Sequence, residues 1–288
     1  MRIGIGSDFL EYIPEFDTRF ARLKALGFDA IDFNLCNTNQ PWYRDEKEME
    51  CYCAEAKAAA AKHGLEIFQM HGPWPTDDTT PESREVVRDY MRRSIYACHL
   101  LGCKHMVVHP QMPYGRVKTV EDPEVAKQIT VDMLRFLLPD CEKYGVILCL
   151  ENMPFRRQRI STTDRIVEVV KEIDSPWLQI CFDTGHSHVM YENVPDSIRL
   201  CAPWLKVFHI HDNKYDDEHS FPFFGKLDWD SIVKAIAEIG YDGVLNFEVR
   251  HASAKLPPAV REAYIEAGVA SVRQIKKMVE DAQKEVAR

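Results

Sequence analysis

Apolar positions in this chain fall into two rhythms, and their alternation predicts its elements. Short runs at Leu65–Met70, His105–Val108, Val146–Leu150, Leu178–Phe182, Leu205–Phe208 and Val244–Phe247 are rich in large aliphatic and aromatic side chains. Runs of that length read as strands covered on both faces, as in a parallel sheet. Arg2–Gly6 and Ala30–Asn34 bring the predicted strands to eight. Between them the spacing turns helical. Phe16, Phe20, Leu23 and Leu26 share one face, and Ile232, Val233, Ile236 and Ile239 another, with Asp228 a candidate N-cap for the second. Helices are expected at Asp17–Leu26, Asp45–His63, Glu82–Leu101, Pro123–Tyr144, Asp164–Ile173, Asp196–Cys201, Asp228–Ile239 and Pro258–Lys284. Pro139 should kink or break the fourth. Gly27, Gly64, Gly102, Gly145 and Gly240 stand at helix-to-strand joints, where a left-handed residue lets the chain reverse.

Strict alternation with no second composition block predicts a single (β/α)8 barrel over residues 1–288. An open doubly wound sheet is the weaker alternative. Its first strand-to-helix turn would carry a glycine-rich phosphate loop, whereas Gly4-Ile5-Gly6 runs into Ser7-Asp8-Phe9.

Six of the predicted strands stop on a group that can bind a metal or move a proton: His71, His109, Glu151, Asp183, His209 and Glu248. One such stop is ordinary. Six in succession put imidazoles and carboxylates at the carboxyl rim of one barrel, where such folds keep their chemistry. Glu151, Asp183, His209 and Glu248 would converge as a hard, oxygen-rich donor set suited to Mn²⁺, Mg²⁺ or Co²⁺, with Zn²⁺ allowed. His186, three residues after Asp183, would face the same cavity from one loop. His211 is expected to turn away from His209. Arg156 and Arg157 lie on a rim loop after Glu151 and could grip an anionic group, with a solvated charged loop the favoured alternative. Trp74, Phe155, Phe221, Phe223 and Phe224 fall in rim loops and could wall a pocket.

Composition narrows the partners. The chain has 288 residues and a formal net charge of −9, which argues against a polyanionic partner such as nucleic acid. No apolar run approaches a membrane span. Met1 leads directly into a strand-like segment, leaving no room for a signal peptide, so a cytoplasmic protein is expected. The nine cysteines include Cys51-x-Cys53 but no CxxC pair, and are expected as free thiols.

Leu150-Glu151-Asn152, Asp183-Thr184-Gly185-His186, His209-Ile210-His211-Asp212, Phe224-Gly225-Lys226-Leu227-Asp228-Trp229 and Phe247-Glu248 occur in an order and spacing that resembles the xylose isomerase-like TIM-barrel superfamily. That superfamily includes sugar isomerases, ketose 3-epimerases, inosose dehydratases and the endonuclease IV group. The resemblance covers nearly the whole chain. It implies that Glu151, Asp183, His209 and Glu248 hold a divalent metal, most readily Mn²⁺, and that Glu151 and Glu248 exchange the substrate proton. It also implies that His186 holds a substrate oxygen. His71, His109 and the Asp217-Glu218-His219 segment resemble the additional zinc ligands of the endonucleases. Where the epimerases place an Arg six residues after the metal His, this chain has Tyr215. The endonucleases have a longer loop before their Asp-x-His pair.

The expected activity is a metal-dependent sugar or sugar phosphate isomerase or epimerase working through a metal-stabilised cis-enediolate. Glu151 and Glu248 would be catalytic, and His71, Trp74, His109, His186 and His219 would bind substrate. The alternatives are a dehydratase or lyase on an oxidised sugar using the same site, or an endonuclease. A carbohydrate is the expected partner, without nucleic acid or membrane, and a homo-oligomer is allowed.

Overall fold

Runs too apolar to face water on either side became eight parallel strands, and the segments between them became the helices that cover them. The computed structural model describes residues 1–76, 81–111 and 122–288, the side chains of Pro81 and Arg159 excepted. The strands are β1 (Arg2–Gly6), β2 (Ala30–Asn34), β3 (Glu66–His71), β4 (His105–Val108), β5 (Ile147–Glu151), β6 (Leu178–Asp183), β7 (Leu205–His209) and β8 (Val244–Phe247). They form one sheet in the order β7-β6-β5-β4-β3-β2-β1-β8. The seam between β8 and β7 closes just past the end of β7. Ile210 bridges Phe247, its N–H donates to the Asn246 carbonyl at 2.8 Å, and its carbonyl accepts from Glu248 N at 3.2 Å. The result is an α/β TIM barrel.

Around it run α1 (Phe16–Ala25), α2 (Glu46–His63), α3 (Pro81–Leu101), α4 (Pro123–Tyr144), α5 (Thr163–Ile173), α6 (Thr184–Val189), α7 (Val194–Cys201), α8 (Trp229–Glu238) and α9 (Pro258–Val286). The apolar stripes face inward as spaced: Phe16, Phe20 and Leu23 of α1 and Ile232, Val233 and Ile236 of α8 are buried. Asp228 caps α8 by accepting from Ser231 N at 3.3 Å. Gly64 and Gly145 end α2 and α4 in the left-handed region at φ 64° and 68°. Two expectations need correcting. Helix α4 continues past Pro139 rather than breaking there, and the segment after Asp183 is not a loop but the short helix α6. No helix among the described residues is long and apolar enough to cross a membrane. All nine cysteines are free, and seven of them are buried.

Side chains of a strand alternate between its faces, so residues two apart share one. That period builds the barrel interior in tiers. Val107, Cys149, Cys181 and Val207 pack into a small apolar cluster. Two residues further along the same strands stand His109, Glu151, Asp183 and His209. On the other half the lower tier is polar: Asp32, Gln69 and Asn246 are all buried. Above them stand Asn34, His71 and Glu248.

Candidate metal centre

Glu151, Asp183, His209 and Glu248 bring one ligand atom each within 4.8 Å of one another. The His209 Nδ1 atom is 2.7 Å from Glu151 Oε1 and 3.4 Å from Glu248 Oε2. Three carboxylate oxygens of this group, Glu151 Oε2, Asp183 Oδ2 and Glu248 Oε2, are buried and make no hydrogen bond, although His109 Nε2 stands 3.2 Å from the first. Buried polar atoms are almost always paired. Anionic oxygens of this kind grouped around an imidazole nitrogen are a donor set that could hold a divalent cation.

The groups of this candidate centre are held from behind. Asp183 N donates to Asn152 Oδ1 at 2.8 Å, and Asn152 Nδ2 returns a bond to the Asp183 carbonyl at 2.9 Å, locking the ends of β5 and β6 together. Asp183 also caps α6, its Oδ1 accepting from His186 N at 2.6 Å. That turn brings the His186 ring back to the site, its Nδ1 donating to the Asn152 carbonyl at 2.8 Å. Beneath His209 lies Asp32, whose Oδ2 accepts from His209 Nε2 at 2.8 Å, Gln69 Nε2 at 2.9 Å and Asn246 Nδ2 at 3.2 Å. With Nε2 committed as a donor to Asp32, Nδ1 is the ring nitrogen that His209 turns to the carboxylates, and the one that could bind an ion once it gives up its proton.

Two histidine groups flank the centre. On one side His109 Nε2 is 3.2 Å from Glu151 Oε2, and His71 Nε2 is 3.6 Å from Glu248 Oε1. His71 Nδ1 meets Cys36 Sγ at 2.6 Å. Trp74 packs edge-on to His109 and stacks with Phe155. On the other side Asp217 Oδ1 pairs with His186 Nε2 at 3.4 Å and His219 Nε2 at 3.0 Å. His211 joins this second group, its Nε2 3.1 Å from Asp183 Oδ1 and its ring stacked on His219 at 4.1 Å. The expectation that His211 turns away is therefore wrong: two residues on from His209 is the same face of the chain, not the opposite one. Gly185 makes room for it, since a Cβ there would lie 2.0 Å from the His211 ring.

Reading strand ends missed Asp32, Asn152 as a positioning group, and Cys36. A carboxylate at the middle of a buried strand was the available signal for Asp32. Of the other candidates, Phe221 is buried, Phe223 and Phe224 are exposed, and Arg157 is exposed on its loop. Arg156 spends two of its donor nitrogens on the Val189 and Tyr215 carbonyls and lies over the Tyr191 ring.

The electrostatics follow from packing anions together. Burial would raise the Glu151 carboxyl, but His209, His109 and His186 hold it well below the usual range. Burial would lower His209, but Cys181, Glu151, Glu248 and Asp32 outweigh it and keep it well above an ordinary imidazole. His186 is pushed up to about 10 against its burial by Asp183, Asp217 and Glu151. His219 is pushed up to about 9 against its burial by Glu248 and Asp217. His109 goes the other way, lowered chiefly by burial despite Glu151. The clustered carboxylates thus draw in protons as countercharge, a role a divalent ion can take over.

A family profile described as xylose isomerase-like TIM barrel matches residues 20–275. The D-psicose 3-epimerase of Ruminiclostridium cellulolyticum is 26% identical over 260 residues, spanning 86% of this chain and 83% of that protein. Among solved structures, a D-tagatose 3-epimerase-like protein superposes with a TM-score of 0.77 at 24% identity, covering 99% of this chain and 100% of the other. The IOLI protein with a bound zinc atom gives 0.74 at 18% identity, with 98% and 99% covered.

Proposed function

We propose, from the premise that this chain belongs to the xylose isomerase-like TIM-barrel family, that it is a divalent-metal-dependent isomerase or epimerase of a sugar. The observation that carries the reading is the set of unpaired, buried carboxylate oxygens facing the His209 Nδ1 atom. Glu151, Asp183, His209 and Glu248 would hold the ion; when bound, it supplies Lewis acidity to a chelated carbonyl and its neighbouring hydroxyl.

The rest of the reaction falls to the chain's own groups. Isomerisation and epimerisation both need a proton taken from a carbon next to a carbonyl and one returned to the same or the adjacent carbon. Glu248 and Glu151 are differently placed for this. The Glu248 side chain is 27% exposed toward the mouth of the barrel, and that of Glu151 is 1% exposed beneath His109 and His209. Glu248 takes or returns the proton on the face open to the mouth, and Glu151 serves the inner face. His186, with Nδ1 fixed on a backbone carbonyl, would share its Nε2 proton between Asp217 and a substrate oxygen. Trp74 and Phe155 wall the pocket beside His109 and exclude water from it.

The deciding experiment is proton NMR of a panel of ketoses in D₂O with the Mn²⁺-loaded protein, read separately for deuterium exchange and net conversion. Glu248→Gln and Glu151→Gln should each lower conversion by about 10²–10⁴-fold. They should differ in which epimer still exchanges its proton. No exchange into any sugar of the panel, at full metal occupancy, would overturn the proposal.

One observation favours a second reading. His71 and His109 form a second cation-capable group with Glu151, which the first shares, so the rim has more donors than a single ion needs, as would suit a metal-dependent endonuclease. The net charge of −9 opposes a polyanionic substrate. Metal analysis finding several Zn²⁺ per chain, together with incision of abasic duplex, would establish it.

A further inference from the structure

On the side of the barrel away from α6, strand β1 has glycine at the two inward positions nearest the rim, Gly4 and Gly6. A Cβ on Gly4 would meet the interior amide oxygen of Asn246 at 2.8 Å, so Gly4 faces inward, and Gly6, two residues on, shares that face. The wall above is therefore bare, and Asp8 folds back over it, with its Oδ1 where it would stand 2.8 Å from a Cβ on Gly6. Asp8 Oδ2 accepts from Asn34 Nδ2 at 2.6 Å and pairs with His251 Nε2 at 3.0 Å. His251 Nδ1 lies 3.2 Å from Glu11 Oε2.

This cluster belongs to the mouth of the same barrel. Strand β1 pairs with β8, which leads into Glu248, and with β2, whose last residue Asn34 stands level with His71. The Asn34 Oδ1 atom accepts from Cys36 N at 2.9 Å, and the Cys36 thiol meets His71. The Asp8 side chain is 24% exposed and that of His251 40%, so both can be reached from solvent. Neither has a part in the proton transfers above.

We propose that Asp8, Asn34 and His251 form a subsite for the far, hydroxyl-bearing and uncharged end of the substrate. The inference rests on the functional reading above and narrows it to unphosphorylated sugars. A carboxylate, an amide and an imidazole offer acceptors and donors in alternation, which is what vicinal hydroxyls need. The charge balance decides against an anion. Two carboxylates, Asp8 and Glu11, flank one imidazole, and the nearby Arg19 is spent on the backbone carbonyls of Ser7, Ile13 and Pro14. A phosphate or carboxylate brought here would face Asp8 and Glu11, with the Arg19 fork already occupied.

The test is calorimetric binding of erythrulose, ribulose, fructose and fructose 6-phosphate to the metal-loaded protein, with erythritol and sorbitol as ligands that cannot turn over. Wild type should bind fructose more tightly than erythrulose, sorbitol more tightly than erythritol, and fructose 6-phosphate more weakly than fructose. Asp8→Asn should weaken fructose and sorbitol by about 10- to 100-fold, the worth of one charge-assisted bond, and erythrulose by less than about twofold. It should also narrow the discrimination against the 6-phosphate. His251→Gln, at a more exposed position, supplies the same comparison should Asp8→Asn fail to fold. Equal or tighter binding of the 6-phosphate by wild type, loss of affinity independent of chain length, or no binding of any of these ligands would overturn the subsite. A failure of deuterium exchange with the chain-length pattern intact would instead strike the functional reading alone.

Discussion

Asp32→Asn isolates the contribution of a group that would act on the proposed metal site only through His209. The Asp32 carboxylate receives three donors, from His209, Gln69 and Asn246, in a fully enclosed tier of the barrel. Asn keeps the shape and one acceptor oxygen but loses the charge and adds an amide that donates. The neighbours can accommodate that amide. All three donors meet Asp32 Oδ2, so the Asn oxygen can take that place and its amide nitrogen the place of Oδ1, which accepts no hydrogen bond. The fold should therefore hold, and the cost should fall on His209. A hydrogen bond to a charged group contributes about 1.5–3 kcal/mol and a neutral one about 0.5–1.5, so the difference is about 1–1.5 kcal/mol. Outer partners of metal-ligating histidines are typically worth about 10–100-fold in affinity, or about 1.4–2.7 kcal/mol. The two routes meet at a loss of roughly tenfold. Competition against a chromophoric chelator measures it, with Mn²⁺ and Zn²⁺ in parallel, and thermal melts of the metal-free protein serve as control. An unchanged metal affinity beside a markedly lower melting temperature would refute the reasoning and leave Asp32 a structural residue of the core.

Two further outcomes follow from the same geometry. His186 and His219 sit at about 10 and about 9, above a free imidazole, so their protonation favours the folded chain: the contribution is complete below about pH 6.5 and disappears as pH rises through about 9 to 10. Melting temperatures of the chelator-treated protein should fall between pH 7 and 10, and a flat or rising profile would contradict the assignment. Gly185→Ala would drive a methyl into the His211 ring, at 2.0 Å before relaxation, and should cost about 1–3 kcal/mol or more in urea unfolding. A variant as stable as wild type would mean that His211 is free to move.

The architecture was legible because its signal is redundant. Eight strand-like runs, each followed by helical spacing, with five of the joints marked by glycine, leave few topologies open, and the strands formed at or within a residue or two of those runs. The outer tier was legible for a related reason: a polar group at the end of a buried strand has no core to satisfy, so it stands out against the run before it. The inner polar tier did not stand out in the same way. Asp32, Gln69 and Asn246 interrupt their strands singly, and each looks like noise until the three are seen to meet. Helix α6 escaped because six residues are too few to show a period, and its start is fixed by the Asp183 cap rather than by any apolar stripe.

Part of the signature that marks the family proves to be scaffolding rather than chemistry. Asp212 follows the ligand-bearing strand directly, yet its carboxylate turns to the loop beyond. It accepts from Phe223 N at 3.0 Å, Leu227 N at 3.1 Å and Trp229 Nε1 at 3.0 Å. Gly225 is required by that arrangement, since a Cβ there would lie 2.1 Å from Asp212 Oδ1. The loop fastened in this way is the one that carries Asp217 and His219 back to His186. A sequence motif of this kind reports two things at once: which groups face the centre, and which hold the backbone that brings them there. Only coordinates separate the two, because an aspartate gripping backbone amides and one awaiting a cation are the same letter in the same kind of place. The physical difference lies in their oxygens. Those of Asp212 are saturated with donors, while Asp183 Oδ2 has none.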